Sequence, residues 1–405
     1  MSWNGFRLRP NDGVEFLDKR GQTSLFLKIC LIIKDLSSDE VVLRGHVYRR
    51  HQAFGSMLSW KVNELCAELE VEEDDTRSIW SQAMIDLPLE RVLKKRRIEV
   101  TEFDFPHKSW RNYTTVDSRK AGGREVLRSI AESDRLTCRY VYVTFYRNIQ
   151  GRSRKRHQRD LLRRITTDDL VEIVALSNTT TPLPVGSQSY LNRKTRHRSR
   201  SASLELLSNS PEGRITYADI CCCAGGSLRG AMMAGVRPVW AIDIDPDACA
   251  SARLNAPCPV FQYSICDFAR SNLCTHADVV HISFPCKPYS PAHWRAAQYA
   301  RDLKHFLLTG EHIERAERDE AAEERDEQNR LVLWSLQPLL KKIRPRIVTM
   351  EQTSGMLEGE GNRLFFDMMI SQFIDAGYDP MWGIEDFSEQ ESVEKRNRLI
   401  IIASA

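Results

Sequence analysis

The chain has no apolar run long enough to cross a bilayer. The best candidate, Leu25 to Leu36, is broken by Lys28 and Lys34 and falls short of the roughly 20 residues a spanning helix needs. The opening residues Met1-Ser2-Trp3-Asn4-Gly5-Phe6-Arg7 contain no apolar core, so a secretory route is not expected and the compartment is read as reducing. The eleven cysteines are accordingly read as thiols. They form no Cys-x-x-Cys pair and no His-x-x-x-His partner follows them, which removes the common zinc frameworks, and no metal is expected. No internal repeat is visible. Net charge is only +3, too small to name a polyanionic partner by itself.

What is present is the composition of a globular protein: 405 residues, 42% hydrophobic and 28% charged, with room for two or three domains. Positive charge is uneven, gathered at Lys94 to Arg97, Arg152 to His157 and Arg193 to Arg200, blocks that suit phosphate contacts or nuclear import and equally suit solvated loops. Three zones follow from pattern. Residues 1–150 hold strand-like runs at Leu25 to Ile33, Val41 to Tyr48, Ile98 to Phe105 and Cys138 to Tyr146, a β-rich module of barrel or sandwich type. Residues 151–213 read as a basic, Ser-rich linker. From 214 to 405, short apolar strands alternate with helical stretches, as a doubly wound α/β sheet requires.

In that last zone, Ile215 to Cys221 predicts the first strand and Ser227 to Ala234 its helix, so Gly225 and Gly226 fall in the turn between them. Glycines there let a ligand approach the backbone and the amides of a helix N-terminus. The next strand, Val239 to Ile242, ends at Asp243, placed to accept from two ribose hydroxyls, with Ile244 after it. A third strand, Val260 to Ser264, is followed by Asp267 and Phe268, at the position for an adenine. A fourth, Val279 to Ser283, delivers Pro285-Cys286 to the carboxyl edge, and a fifth, Arg346 to Met350, ends at Glu351. A thiol and a carboxylic acid reaching one pocket can carry a conjugate addition to an electron-poor ring; a buried thiol and a surface glutamate are the plainer alternative.

Asp219-Ile220-Cys221-Cys222-Cys223-Ala224-Gly225-Gly226, Phe284-Pro285-Cys286-Lys287-Pro288-Tyr289-Ser290, Glu351-Gln352-Thr353 and Arg396-Asn397-Arg398 together resemble four motifs of the DNA cytosine-5 methyltransferases, in family order. Ser290-Pro291-Ala292-His293, Asp326 to Asn329, Arg344-Pro345-Arg346 and the Glu-Gln-Thr triplet are similar to the fungal branch associated with repeat-induced point mutation. Leu43 to Arg50 is similar to part of that branch's bromo-adjacent-homology-like (BAH-like) module.

The resemblance implies a Rossmann-like methyltransferase sheet and S-adenosyl-L-methionine held by Asp219, Cys222, Cys223, Gly225, Gly226, Asp243, Ile244, Asp267, Phe268 and Pro285. It implies a cytosine flipped out of double-stranded DNA, with Cys286 adding to C6, Glu351 acting at N3, and Arg396 and Arg398 holding the base and the site. A nuclear location and a chromatin contact through the first module go with it. Three positions depart from the family pattern: Cys223 for a glycine, Lys287 for a glutamine and Glu394 for a glutamine. With Ala405 following the strand Leu399 to Ile402, the family's target-recognition region and last two motifs are expected to be missing. Residues 311–330, rich in Glu and Arg three and four apart, predict a solvated helix. A catalytically impaired DNA- or chromatin-binding homologue is the competing reading, and an RNA cytosine-5 methyltransferase is chemically compatible.

Overall fold

The computed structural model describes residues 2–103, 135–147, 159–178, 215–289, 332–358, 362–390 and 396–405, less a few positions inside these ranges and with isolated residues outside them. The basic blocks at 152–157 and 193–200 and, apart from Asn329, the predicted helix at 311–330 lie outside the described residues. The chain divides into two compact units, residues 1–187 and 188–405.

The first unit is built on β1 (Gly13–Leu17), β2 (Ser24–Lys34), β3 (Val41–Arg50), β4 (Glu64–Glu72), β5 (Ile85–Pro88), β6 (Val92–Val100), β7 (Arg135–Tyr146), β8 (Arg159–Arg164) and the helix α1 (Thr167–Asn178). The strands run in the order β4-β3-β2-β1-β6-β7, and β7 pairs in parallel with both β6 and β4, which closes the sheet into a barrel. Closure satisfies both edges of every strand in the ring, the difficulty an open sheet has to solve another way. Of the two expected architectures, barrel and sandwich, the barrel is the one formed.

Strand β2 explains why its sequence reads as a continuous apolar run. Phe26 joins a core with Leu65, Leu69, Ile98 and Val141, while Leu25, Leu27 and Ile29 on its other face join a second cluster with Val14, Leu43 and Leu87. Three sequence expectations need correction. The strand placed at Ile98 to Phe105 in fact spans Val92–Val100, so the basic block Lys94 to Arg97 lies inside the barrel wall. Arg96 is 3% exposed and donates to the carbonyls of Ala131 and Glu132, and Lys95 pairs with Asp12 at 2.6 Å, so this block is structural and not a free import signal.

The linker reading of residues 151–213 also fails for residues 159–178. There β8 pairs with β7, and buried Asp169 on α1 accepts from Trp80 Nε1 at 2.7 Å and from Arg163 Nη1 at 2.6 Å. The charges flanking Leu162 in Arg159 to Arg164 concealed a strand with alternating burial. The strands Gly13–Leu17, Glu64–Glu72 and Ile85–Pro88 had no counterpart in the sequence reading.

The second unit contains β9 (Thr216–Ile220), α2 (Gly226–Met233), β10 (Arg237–Asp243), α3 (Pro246–Asn255), β11 (Val260–Gln262), α4 (Ile265–Arg270), β12 (Val279–Ile282), α5 (Leu336–Ile343), β13 (Ile347–Thr353), α6 (Arg363–Asp375), β14 (Asp379–Asp386) and β15 (Asn397–Ser404). Its sheet order is β11-β10-β9-β12-β13-β15-β14. Pairing is parallel from β11 to β13, and β15 is inserted antiparallel between β13 and β14. The doubly wound α/β expectation holds, with that one reversed strand added to it. Strand order turns back between β9 and β12, and such a switch opens a crevice at the carboxyl ends of the strands.

In the barrel, one glycine is required by close approach. Gly45 on β3 sits where β2 bulges between Ile29 and Leu31, and a Cβ there would collide with the Lys28 carbonyl. Replacing a mid-strand glycine by alanine normally stabilises by about 0.4–1 kcal/mol through the unfolded chain. Gly45→Ala is expected to do the reverse, lowering stability by about 1–3 kcal/mol through forced backbone displacement. Urea unfolding followed by circular dichroism checks the sign.

Candidate active site

The turn after β9 is strung between two strands. Cys222 N–H donates to the Ile242 carbonyl at 3.1 Å, Gly225 N–H to the Cys222 carbonyl at 2.8 Å, and Cys223 N–H to Asp243 Oδ2 at 2.9 Å. The path needs left-handed backbone at Cys221 (φ 61°), Cys223 (φ 49°) and Gly225 (φ 87°). For a residue with a Cβ this conformation costs on the order of 1–3 kcal/mol, so glycine would be the less strained residue where Cys223 stands. The Cys223 side chain is exposed and Gly226 opens α2, one residue earlier than expected, with open space where its Cβ would be.

Asp219 lies at the floor of this turn, fully buried. Ser227, on the first turn of α2, donates its hydroxyl to Asp219 Oδ2, while Oδ1 has no hydrogen-bond partner. Burial pushes the Asp219 carboxyl up to about 7; the Ser227 hydrogen bond opposes this and the Asp243 carboxylate adds to it. A buried carboxyl oxygen without a protein donor, beside a glycine turn, can accept from a polar or cationic ligand.

Asp243 holds the end of β10 and accepts from the amides of Cys223 and Asp245, one on each oxygen. Each carboxylate oxygen keeps a second lone pair for a hydroxyl. Ile244, next in chain, is 67% exposed, an apolar surface at the crevice lip. Asp267 is exposed on the first turn of α4, where Ser264 caps the helix and donates to Asp267 Oδ2 at 2.6 Å. These positions fit a nucleoside-like group. Two others do not meet the expectation. Phe268 is fully buried, its ring against Trp240 at 5.3 Å with Lys342 Nζ 4.7 Å from its centroid, so it supports α4 from the core. Cys222 also turns its side chain inward, where burial, then the Asp219 and Asp243 carboxylates, push the thiol up to about 12; it can serve a ligand only through its backbone.

At the other side of the switch point, β12 ends at Ile282 and Phe284-Pro285-Cys286 leaves the sheet, with Cys286 exposed. Two side chains hold this loop. Gln352 Nε2 donates to the Phe284 carbonyl at 2.8 Å, and Asn362 Nδ2 donates to the Tyr289 carbonyl at 2.9 Å. Glu351 does not follow its strand as expected but lies within it, because β15 continues the ladder as far as Thr353 opposite Arg398. That antiparallel register places Arg398 one alternation from Glu351 on the same face. Arg398 Nε stands 2.7 Å and Arg396 Nη2 3.5 Å from Glu351 Oε1. Three of the predicted catalytic residues therefore form one charged group. Cys286 leaves the neighbouring parallel strand, whose Ile282 is level with Met350.

Ser227, Asn362, His281 and Ser283 were not picked out from sequence as site residues, and Gln352 was noted only as part of the Glu-Gln-Thr triplet. The available signal was a polar residue inside an apolar strand, as in Val279-Val280-His281-Ile282. No group of three or more His, Cys, Asp or Glu side chains suited to a metal occurs among the described residues, and no helix of those residues is long and apolar enough to cross a membrane.

Residues 215–303 match the C-5 cytosine-specific DNA methylase family. The matched span runs from β9 past Cys286 and stops before Glu351 and the arginines. The type II methyltransferase M.Sau96I of Staphylococcus aureus is 23% identical over 184 residues, 44% of this chain and 36% of that enzyme, so the chain spans about a third of its relative's length. Among solved structures, the Dnmt2 methyltransferase of S. pombe aligns at 16% identity and TM-score 0.32, over 47% of this chain and 49% of that one. A prophage-encoded DNA modification methyltransferase from E. coli, itself an unproven assignment, aligns at 14% identity and TM-score 0.33, over 47% and 46%. Scores this low decide nothing about the present fold, which stands on its own strand pairing.

The raised Asp219 carboxyl gives a pH test. Between the unfolded value near 4 and the folded value of about 7, the folded chain binds the extra proton. The stability tied to that proton is complete below pH about 4 and is lost as pH rises through about 7. Asp219→Asn removes the titration. The ligand-free variant is expected to gain melting temperature relative to wild type as pH goes from 5 to 8, read by differential scanning fluorimetry; a difference independent of pH would contradict it.

Proposed function

We propose that the second unit is an S-adenosylmethionine-dependent DNA cytosine-5 methyltransferase domain, of the fungal repeat-induced-point-mutation type suggested by its Glu-Gln-Thr triplet and its neighbouring motifs. The observation that carries this is that an exposed cysteine behind a proline leaves the strand paired in parallel with the one that bears a glutamate held by two arginines. The family match over residues 215–303 supports it.

The cofactor's methionine end would lie against the turn amides between Cys222 and Gly226, above the orphan Oδ1 of Asp219. Asp243 would accept from its ribose hydroxyls, Ile244 would pack on its adenine and Asp267 would take the adenine amino group, with Pro285 at the reacting end. S-adenosylmethionine, when bound, supplies an electrophilic methyl group on a sulfonium. Cys286, as thiolate, adds to C6 of a cytosine turned out of the duplex and makes C5 nucleophilic. Glu351 takes part as the carboxylic acid: Arg396 and Arg398 hold its Oε1, and Oε2 donates to N3 as negative charge develops there. Once C5 carries the methyl group and the cofactor is left as its neutral thioether, the C5 proton passes to solvent water, the C6–S bond breaks, and Cys286 leaves as thiolate with the aromatic ring restored.

Duplex DNA is the proposed partner. The barrel is proposed as a BAH-like module that contacts chromatin, and the nucleus as the place of action, supported by the basic blocks at 152–157 and 193–200. A duplex carrying 5-fluorocytosine cannot lose a proton from C5, so with S-adenosylmethionine it is expected to trap a denaturation-resistant adduct on wild type and none on Cys286→Ser. No adduct with wild type, together with DNA binding indifferent to Cys286→Ala, would favour the non-catalytic binding protein.

A further inference from the structure

Two hydrogen-bonding side chains, His281 and Thr349, lie within the parallel sheet, and a third, Ser283, stands just past it. His281, level with Thr349 across the parallel β12 and β13 pair, has Nδ1 2.8 Å from Thr349 Oγ1. Its Nε2 is 2.7 Å from Ser283 Oγ. Ser283 is the first residue beyond β12 and its N–H donates to the Ile220 carbonyl at 3.1 Å. The ring thus joins the strand that carries Glu351 to the root of the loop that carries Cys286. Thr349 and Glu351, two apart in one strand, share a face, so the bridge and the carboxylate lie on the same side of the sheet.

We propose that His281 is a positioning residue, a strut between Thr349 and Ser283 that sets the Cys286 loop against Glu351. Its consequence for catalysis rests on the methyltransferase reading above; the strut itself does not. An imidazole in this place is costly to bury and is favoured only if both nitrogens are satisfied, as they are here. Burial lowers the affinity of the ring for a second proton, against the pull of the Glu351 carboxylate. The charged or titratable groups facing it are Glu351 on β13 and Asp219, level with it on β9. A neutral ring has one donor and one acceptor, so one hydroxyl donates to it and the other accepts, a directional link that a larger apolar side chain would not reproduce. On the opposite face, Gln352 holds Phe284, so the loop root is tied from both sides of the sheet.

Hydrogen exchange of the full chain, read by mass spectrometry, tests the strut without DNA. In His281→Phe, amides of residues 283–289 are expected to exchange at least about tenfold faster, with peptides over β9 and β10 unchanged. Ser283→Ala, which removes one end of the strut and leaves the ring, is expected to give the same local change if the Phe variant does not fold. Faster exchange spread evenly over the unit, or none at 283–289, would overturn the proposal. In the fluorocytosine assay, His281→Phe is expected to slow adduct formation by about a hundredfold while calorimetry finds S-adenosylmethionine affinity within about twofold of wild type. Local loosening with an unchanged adduct rate would overturn the positioning role, and equal losses in binding and rate would reduce it to a general packing effect. If wild type forms no adduct, the methyltransferase reading fails while the exchange result still judges the strut.

Discussion

Everything at the candidate site depends on how three strands end. Parallel pairing of β12 with β13 brings the Cys286 loop beside the strand that carries Glu351, and the antiparallel β15 then returns Arg398 and Arg396 to that same carboxylate. Without the reversed strand, β13 would be left with an unpaired edge and Glu351 without its cations. The sheet therefore fixes the electrostatics of the site as well as its position. The ion pairs are only half-buried, with side-chain exposures of 27% for Glu351 and 25% for Arg398. At such exposure their contribution to stability is small, and their value lies in orientation.

The other half of the crevice carries a different physical constraint, backbone conformation bought with side-chain hydrogen bonds. Left-handed residues at Cys221 and Cys223 are unfavourable alone, and the turn keeps them because Asp243 receives the Cys223 amide and β10 receives that of Cys222. The same Asp243 is then near enough to raise the buried Asp219 further. Strain, burial and like charge gather at one turn, the pattern expected where a ligand and not the protein completes the interactions.

Much of this was legible in the sequence because its signals are local. A glycine pair after a β-branched strand, an acid at the end of the next strand and a Pro-Cys step after a third each report backbone behaviour within a few residues, and Asp219, Asp243, Cys286 and Glu351 all appear at strand ends or near them. Phe268 was misplaced because an aromatic beside an exposed acid has the same pattern whether it faces a ligand or Trp240. Strand Gly13–Leu17 and the strand beginning at Val92 were missed or shifted because barrel closure, a long-range event, decides which charged residues join a ladder. Lys94 to Arg97 look like a free basic cluster until the partners Asp12, Glu15, Ala131 and Glu132 are brought to them from distant parts of the chain.

The contrast among the cysteines shows why position, not number, makes Cys286 the proposed nucleophile. Cys221 and Cys222 lie one strand away from Cys286, but burial, with carboxylates nearby, raises their thiols and suppresses the thiolate that any addition requires. Cys223 is exposed but belongs to the turn whose amides the cofactor reading needs. Cys286 alone among these four combines exposure with a loop held at its root, through Phe284 by Gln352 and through Ser283 by His281. A nucleophile must be free at its sulfur and fixed at its backbone, and in this chain those two requirements are supplied by different residues on opposite faces of one sheet.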